Sequence, residues 1–160
     1  MIAYENMPPE SRVWIYQADR ELNASEAAGI TAEAETFSEE WTAHNNQLKA
    51  SFKLFYNRFL VFLVDESHEM PSGCSIDKSV HLVKLMETKY NVSLLNRMNF
   101  AYKQNGEVVV CSRSEFENRM ASGEINDSTP VFNNLVSTKE EFESGWEIPL
   151  EKSWHKTVLS

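Results

Sequence analysis

Glycine is scarce in this chain. The five glycines among 160 residues stand at 29, 73, 106, 123 and 145. No G-x-G-x-x-G or G-x-x-x-x-G-K-[ST] can be written from them, which excludes a Rossmann fingerprint and a P-loop, and nucleotide hydrolysis by the P-loop route with it. Proline is equally sparse, at five, so little of the chain reads as linker. H-E-x-x-H, an EF-hand loop and G-x-S-x-G are absent as well. Cysteine is limited to Cys74 and Cys111 with no Cys-x-x-Cys, which removes zinc-knuckle and dithiol-redox readings and suggests a reduced pair. The longest apolar run, Phe59 to Val64, is far short of the ~20 residues of a membrane span. Met1 to Pro9 contains Glu5 and no apolar stretch, so no signal peptide is expected there and a cytoplasmic location is the expectation.

Positive charge is in deficit too: 24 acidic against 15 basic residues, for a net charge of -9. Uniform binding to a phosphate backbone depends on clustered Lys and Arg, so nucleic acid is not an expected partner. The imbalance is uneven. Residues 1–44 hold 9 acids and 2 bases, residues 45–113 hold 6 acids and 9 bases, and residues 114–160 hold 9 acids and 4 bases. A mildly basic centre between acidic ends either pairs with those ends or receives a small anion.

What remains is an ordinary globular composition, 42% hydrophobic and 11% aromatic, long enough to bury a core without metal or disulfide. One domain over 1–160 is the default. Arg12 to Gln17 alternates and reads as a strand. From a cap at Ser25, Ala28, Ile30, Ala34, Phe37 and Trp41 recur at near-helical spacing, opposite Glu26, Glu33, Glu35, Glu39 and Glu40, which predicts an amphipathic surface helix whose first turn Gly29 weakens. Ser51–Tyr56 and Phe59–Val64 read as a hairpin turning at Asn57-Arg58, its second strand buried on both faces. A polar loop, 65–73, leads to a helix from Ser75 or Ile76 to about Tyr90, with its apolar stripe expected at Ile76, Val80, Val83 and Tyr90. Asn105-Gly106 marks a second hairpin, Asn99–Lys103 with Glu107–Cys111. Ser114 is a candidate cap for a short helix ending at Gly123, Pro130–Val136 reads as a strand, and Thr138 with Glu141 matches a capping box. The final stretch, with Trp146, Ile148, Leu150 and Trp154, is expected to dock on the body. The expected fold class is α+β, a single mostly antiparallel sheet carrying helices, with a ferredoxin-like βαββαβ core over about 12–111 and a C-terminal appendage over about 114–160.

One stretch has the residue types for chemistry: Ser72-Gly73-Cys74-Ser75-Ile76-Asp77-Lys78-Ser79-Val80-His81, between a buried strand and a helix. Small residues at a helix start expose backbone N–H groups and the positive end of the helix dipole. A phosphate or carboxylate fits such a cradle, with Ser72, Gly73, Ser75, Lys78, Asp77 and His81 as candidate ligand-binding residues. The same field would activate Cys74 as a catalytic or redox-sensing thiol. A direct Cys74–His81 dyad is disfavoured, since seven residues along a helix span about 10.5 Å; His44, His68 and His155 are the other histidines. Asp77 is i, i+4 to His81 and placed to orient it. The plain reading is a capped helix start and a tight turn. Ser75-x-x-Lys78 matches the S-x-x-K of penicillin-recognising enzymes, but S-D-N and K-T-G are absent, so the match is chance. Asp65, Glu66, His68 and Glu69 offer hard-cation or acid–base groups without a fixed geometry. No metal and no cofactor is expected.

The segments Trp41-Thr-Ala-His44, Leu48-Lys-Ala-Ser-Phe52, Tyr56-Asn-Arg-Phe59, Val64-Asp-Glu66, Ser72-Gly-Cys-Ser-Ile-Asp-Lys-Ser79 and Val131-Phe-Asn-Asn-Leu-Val136 resemble a small bacterial protein family without an established activity, over most of the chain. Its members sometimes carry the label "ABC transporter ATPase". That label implies a P-loop and a signature motif, and this sequence has neither. The resemblance implies a stand-alone cytoplasmic protein and points again to residues 72–79. Three functional readings follow: a domain binding a small anionic ligand or a protein partner near 72–79, an enzyme or redox sensor using Cys74, or an acidic adaptor working through its first helix.

Overall fold

A computed structural model describes residues 1–159, which fold as α+β. They form two compact units, residues 1–95 with 137–140 and residues 96–136 with 141–159.

The first unit contains β1 (Arg12–Gln17), α1 (Ala24–Glu40), a two-stranded ribbon of β2 (Thr42–Ala43) and β3 (Asn46–Gln47), β4 (Lys49–Phe55), β5 (Phe59–Asp65) and α2 (Gly73–Tyr90). Its sheet runs β1-β5-β4, antiparallel throughout. The apolar run Phe59–Val64 is the central strand and is fully buried, because strands on both sides and cover on both faces leave no position facing water. The hairpin turn is a three-residue loop, Tyr56 to Arg58, with Phe55 opposite Phe59. Tyr56 and Asn57 both take positive φ there.

One face of this sheet, with Tyr16, Phe52, Leu60, Phe62 and Val64, packs against Ile30, Ala34 and Trp41 at α1 and Val83 and Met86 on α2. Helix α1 starts at Asn23, whose side chain accepts from the Glu26 N–H while the Glu26 carboxylate accepts from the Asn23 N–H. That reciprocal box places the start two residues before the expected Ser25 cap. Ala28 is exposed, and the buried line is Ile30, Ala34 and Ser38. On α2 the buried residues are Ser75, Ser79, Val83 and Met86, one residue round from the expected stripe. Small serines occupy the closest approach, so Ile76 and Val80 stand at its half-buried edge. Gly29 permits a second close approach: a Cβ there would lie 2.5 Å from the Tyr90 hydroxyl.

Each outer edge of the sheet is met at one point by another segment of the chain. Ile2 donates to the Ala50 carbonyl beside β4 (3.1 Å), and Val13 of β1 donates to the Ser137 carbonyl (3.0 Å). The returning segment is held firmly: the Lys139 N–H donates to Ser11 O (2.8 Å), the Glu140 N–H to Pro9 O (2.9 Å), and the buried Lys139 ammonium to the Met7 and Tyr4 carbonyls (2.8 and 3.0 Å).

The second unit contains β6 (Asn99–Gln104), β7 (Glu107–Ser112), α3 (Arg113–Ala121), β8 (Pro130–Phe132), most of α4 (Lys139–Gly145), β9 (Glu147–Pro149) and α5 (Trp154–Leu159). Its sheet runs β7-β6-β8-β9. The single sheet and the ferredoxin-like βαββαβ order expected from sequence are therefore corrected. The second hairpin pairs with β8, not with the first three strands, and strand periodicity carries no information about which sheet a hairpin joins. Asn105 and Gly106 both have positive φ, as a type I′ turn requires. Helix α3 begins at Ser112, in a box with Glu115, two residues before Ser114. The 130–136 strand stops at Phe132. Tyr102, Phe116, Ile125, Val131, Leu150 and Leu159 form the unit's core. Among the described residues no helix is long and apolar enough to cross a membrane.

Candidate functional site

Helix α2 opens with a self-contained cap. The Ser72 hydroxyl accepts from the Ser75 N–H (3.1 Å), and the Ser75 hydroxyl accepts from the Ser72 N–H (2.6 Å) and donates to the Ser72 carbonyl (2.8 Å). Ser75 is only 1% exposed. These two candidate ligand-binding serines thus satisfy each other at the helix start. Gly73 is exposed, with open space where a Cβ would stand.

The other four candidates come together in a different place. Cys74, Asp77, Lys78 and His81 line a groove of about 620 Å³ with the end of α1, where Glu40 completes the polar rim. Phe37, Trp41, Leu82 and Leu85 give it apolar walls. A second hollow of about 530 Å³ shares Phe37, Glu40, Leu82 and Leu85 and continues to Glu33 and Lys89. Cys74 and Lys89 lie about 22 Å apart along the α2 axis, at a rise of ~1.5 Å per residue. The site is a trough between two helices, and the helix N-terminus lies at one end of it.

Trp41 closes the floor. It is 2% exposed, stands at the C-terminal boundary of α1, and donates its indole N–H to the Ser75 carbonyl at 2.8 Å. Phe37 packs on it at 5.0 Å between ring centroids, and Phe62 of β5 meets it edge-on at 6.3 Å. The far end is tied by polar contacts. Glu33 pairs with Lys89 and accepts from the Tyr90 hydroxyl at 3.2 Å, and burial, reinforced by the Glu33 charge, raises the Tyr90 phenol above its usual pKa. Arg20 donates to both Glu26 carboxylate oxygens at 2.8 Å and to the Tyr90 carbonyl at 2.7 Å, fastening the end of α2 to the start of α1. The Arg20 hydrogen bonds, joined by the Asn23 N–H, hold Glu26 down at a pKa of about 2.

At the Cys74 end the charged groups are uncommitted. Glu40, Asp77, Lys78 and His81 make no ion pair or side-chain hydrogen bond among the described residues. Cys74 is exposed and Cys111 buried. No hydrogen bond links Cys74, Asp77 and His81, so the groove gathers these three without ordering them as nucleophile, base and orienter. Elsewhere, Asp65 accepts from the Ser67 N–H and hydroxyl, Glu66 pairs with Arg12, and Glu69 accepts from Asn46. Among the described residues no three His, Cys, Asp or Glu side chains converge as a metal site would require.

The apolar walls are what the sequence reading missed. The sequence places Phe37 and Trp41 on the apolar side of the first helix and names neither as part of a site. The available signal was that Phe37, Leu82 and Leu85 all fall off the buried lines of their helices, so that two apolar margins face each other. No protein-family model, curated protein or solved structure matches the chain.

Proposed function

We propose that the protein is a binding module whose α1–α2 trough receives an amphipathic helical segment of a partner protein. The observation that carries this reading is the trough itself: a hollow about 22 Å long from Cys74 to Lys89, with apolar walls at its middle and a charged rim that is uncommitted at one end. That length suits four turns of helix, the usual scale of helix-in-groove recognition. The rim carries both signs in an ordered way. Glu33 and Glu40 stand on the α1 side, Lys78, His81 and Lys89 on the α2 side with Asp77 among them. A partner helix complements it with an apolar i, i+3, i+4, i+7 stripe, basic residues toward α1 and acidic residues toward α2.

Cys74 provides the test. A benzophenone attached to this exposed thiol, with Cys111 replaced by Ser, cross-links whatever lies in the trough. The cross-linked segment is expected to carry an amphipathic stripe, and its synthetic peptide to bind the unlabelled protein at least tenfold more weakly after Leu85→Glu. A segment without that periodicity, or binding indifferent to Leu85→Glu, overturns the reading.

The freedom of Lys78 and His81 favours a second reading, a small apolar carboxylate with its tail on Trp41 and Leu82. Carboxylates of increasing chain length would then raise the melting temperature progressively, and Lys78→Ala would abolish the rise. No rise at any length removes this alternative.

A further inference from the structure

The outer strands of the two larger sheets are not treated alike. Each edge of the β1-β5-β4 sheet is met by another segment of the chain, Ile2 at Ala50 and Ser137 at Val13. In the second sheet β9 is three residues long and contains Pro149, two of the usual ways of making an edge unattractive. Strand β7 has neither defence. It is six residues long, reads Glu107-Val-Val-Val-Cys-Ser112, pairs only with β6, and its three valines are half-buried.

Which backbone groups this edge offers follows from the turn. The two-residue type I′ loop Asn105-Gly106 is closed by Gln104 opposite Glu107, and such a loop is closed by a hydrogen-bonded pair. Alternation then directs the N–H and C=O of Glu107, Val109 and Cys111 toward β6, and those of Val108, Val110 and Ser112 outward. Ser112 confirms the parity: its N–H is taken by the Glu115 carboxylate in the α3 cap, at 3.2 Å. No hydrogen bond reaches Val108 or Val110 from any neighbour outside β6 among the described residues. Two donors and two acceptors are left on two residues, bounded by a turn on one side and a capped helix start on the other.

We propose that this edge is an interaction surface for a second copy of the chain, with two β7 strands pairing antiparallel about a two-fold axis at Val109. The free groups are their own complement in that register alone. Val108 of one copy exchanges both hydrogen bonds with Val110 of the other, and the reverse, using all four groups. Shifting the axis to Val110 sets Val108 against the capped Ser112 N–H. Shifting it to Val108 sets Val110 against Gly106, whose φ of +81° is not extended. The charges agree with the central register: Glu107 faces the partner's Cys111, and the two Glu107 side chains sit at opposite ends of the junction, about 13 Å apart. The result is one continuous eight-stranded sheet. The junction is small and each copy carries a net charge of -9, so the dimer is weak and tightens as salt rises, because salt screens the overall repulsion and leaves the backbone bonds intact.

The test is sedimentation equilibrium of the whole protein over a range of concentrations at low and high salt, with hydrogen exchange on the same samples. The wild type is expected to show a monomer–dimer equilibrium that strengthens with salt. Exchange at the Val108 and Val110 amides should slow as concentration rises, while the Val109 amide, bonded to β6, stays unchanged. Val110→Pro removes an outward donor without touching the β6 ladder and is expected to weaken the dimer at least tenfold; Val108→Pro is the second variant, and the exchange pattern decides the matter should neither fold. A monomer at every concentration up to about 1 mM, or a dimer with concentration-independent exchange at Val108 and Val110, overturns the proposal.

Discussion

The indole N–H of Trp41 reaches the Ser75 carbonyl at 2.8 Å, joining the end of one helix to the first turn of the next through a buried bond. The same ring forms the floor of the trough, so stability and binding share one side chain. Trp41→Phe keeps an aromatic body and removes the donor, taking the second hydrogen bond from a carbonyl that the α2 ladder already engages, at an expected loss of about 0.5–1.5 kcal/mol. Trp41→Ala adds a cavity and is expected to lose about 3–5 kcal/mol. Urea unfolding followed by circular dichroism checks both, and a Trp41→Phe midpoint equal to the wild type's would show that the ring packs without bonding.

Gly29 and Tyr90 give a coupled pair. In an exposed helix Gly→Ala gains about 1 kcal/mol from propensity, but here the added methyl meets the Tyr90 hydroxyl, which is itself held by Glu33. Gly29→Ala is therefore expected to be neutral or destabilising, and to become more favourable in a Tyr90→Phe background, with a coupling of about 0.5–2 kcal/mol in a double-mutant cycle. Strict additivity would mean the two helices do not approach as described.

His155 sets a pH dependence that the carboxylates do not. It is 1% exposed, its ring nitrogen Nδ1 lies 2.6 Å from the Ser153 hydroxyl, and burial lowers its pKa to about 4. The unfolded chain binds this proton near the ordinary value of about 6.5, so unfolding takes up a proton between the two values and stability rises with pH there. The contribution is complete above the unfolded pKa and is lost as pH falls from about 6.5 to about 4, up to roughly 3 kcal/mol. Glu5, Glu26, Asp65 and Glu115 also have lowered pKa values, but they weaken the fold only as pH drops below the ordinary carboxylate range. Denaturant midpoints measured from pH 7 to pH 4.5 should slope in the wild type and flatten in His155→Leu.

The two thiols should separate cleanly. Cys74 is exposed, whereas Cys111 is buried and burial raises its pKa. One equivalent of an alkylating reagent is expected to react with the native protein at Cys74, and the second only after unfolding. Mass spectrometry locates the label, and native labelling of Cys111 would contradict the packing of the second core.

How much of this was legible beforehand differs from element to element. The strand Arg12–Gln17, the buried strand at 59–64 and the Asn-Gly hairpin follow from local alternation and turn chemistry, and all three stand where expected. The segregation of the hairpins into two sheets depends on long-range pairing that no local pattern encodes. Along α2 the wheel favoured Ile76 and Val80 because they are the more apolar, yet Ser75 and Ser79 are buried. At a close helix crossing the size of a side chain outranks its hydrophobicity, and Trp41 needs the room. The stretch 72–81 was recognisable as special, and four of its candidates line one trough. The trough's apolar half lies partly on another helix, so it became visible only once α1 and α2 were placed side by side.

The return of residues 137–140 to the first unit has a consequence during synthesis. Ser137, Lys139 and Glu140 anchor onto Val13, Ser11 and Pro9, so the β1 edge stays open until those residues have left the ribosome. From Leu95 onward that is about 45 more residues, roughly two to nine seconds at ordinary translation rates. For that interval the nascent chain carries a formed hairpin with an unpaired flank, open to chaperones and neighbouring chains. The late-arriving lysine, seated between the Tyr4 and Met7 carbonyls, is the latch that ends the exposure.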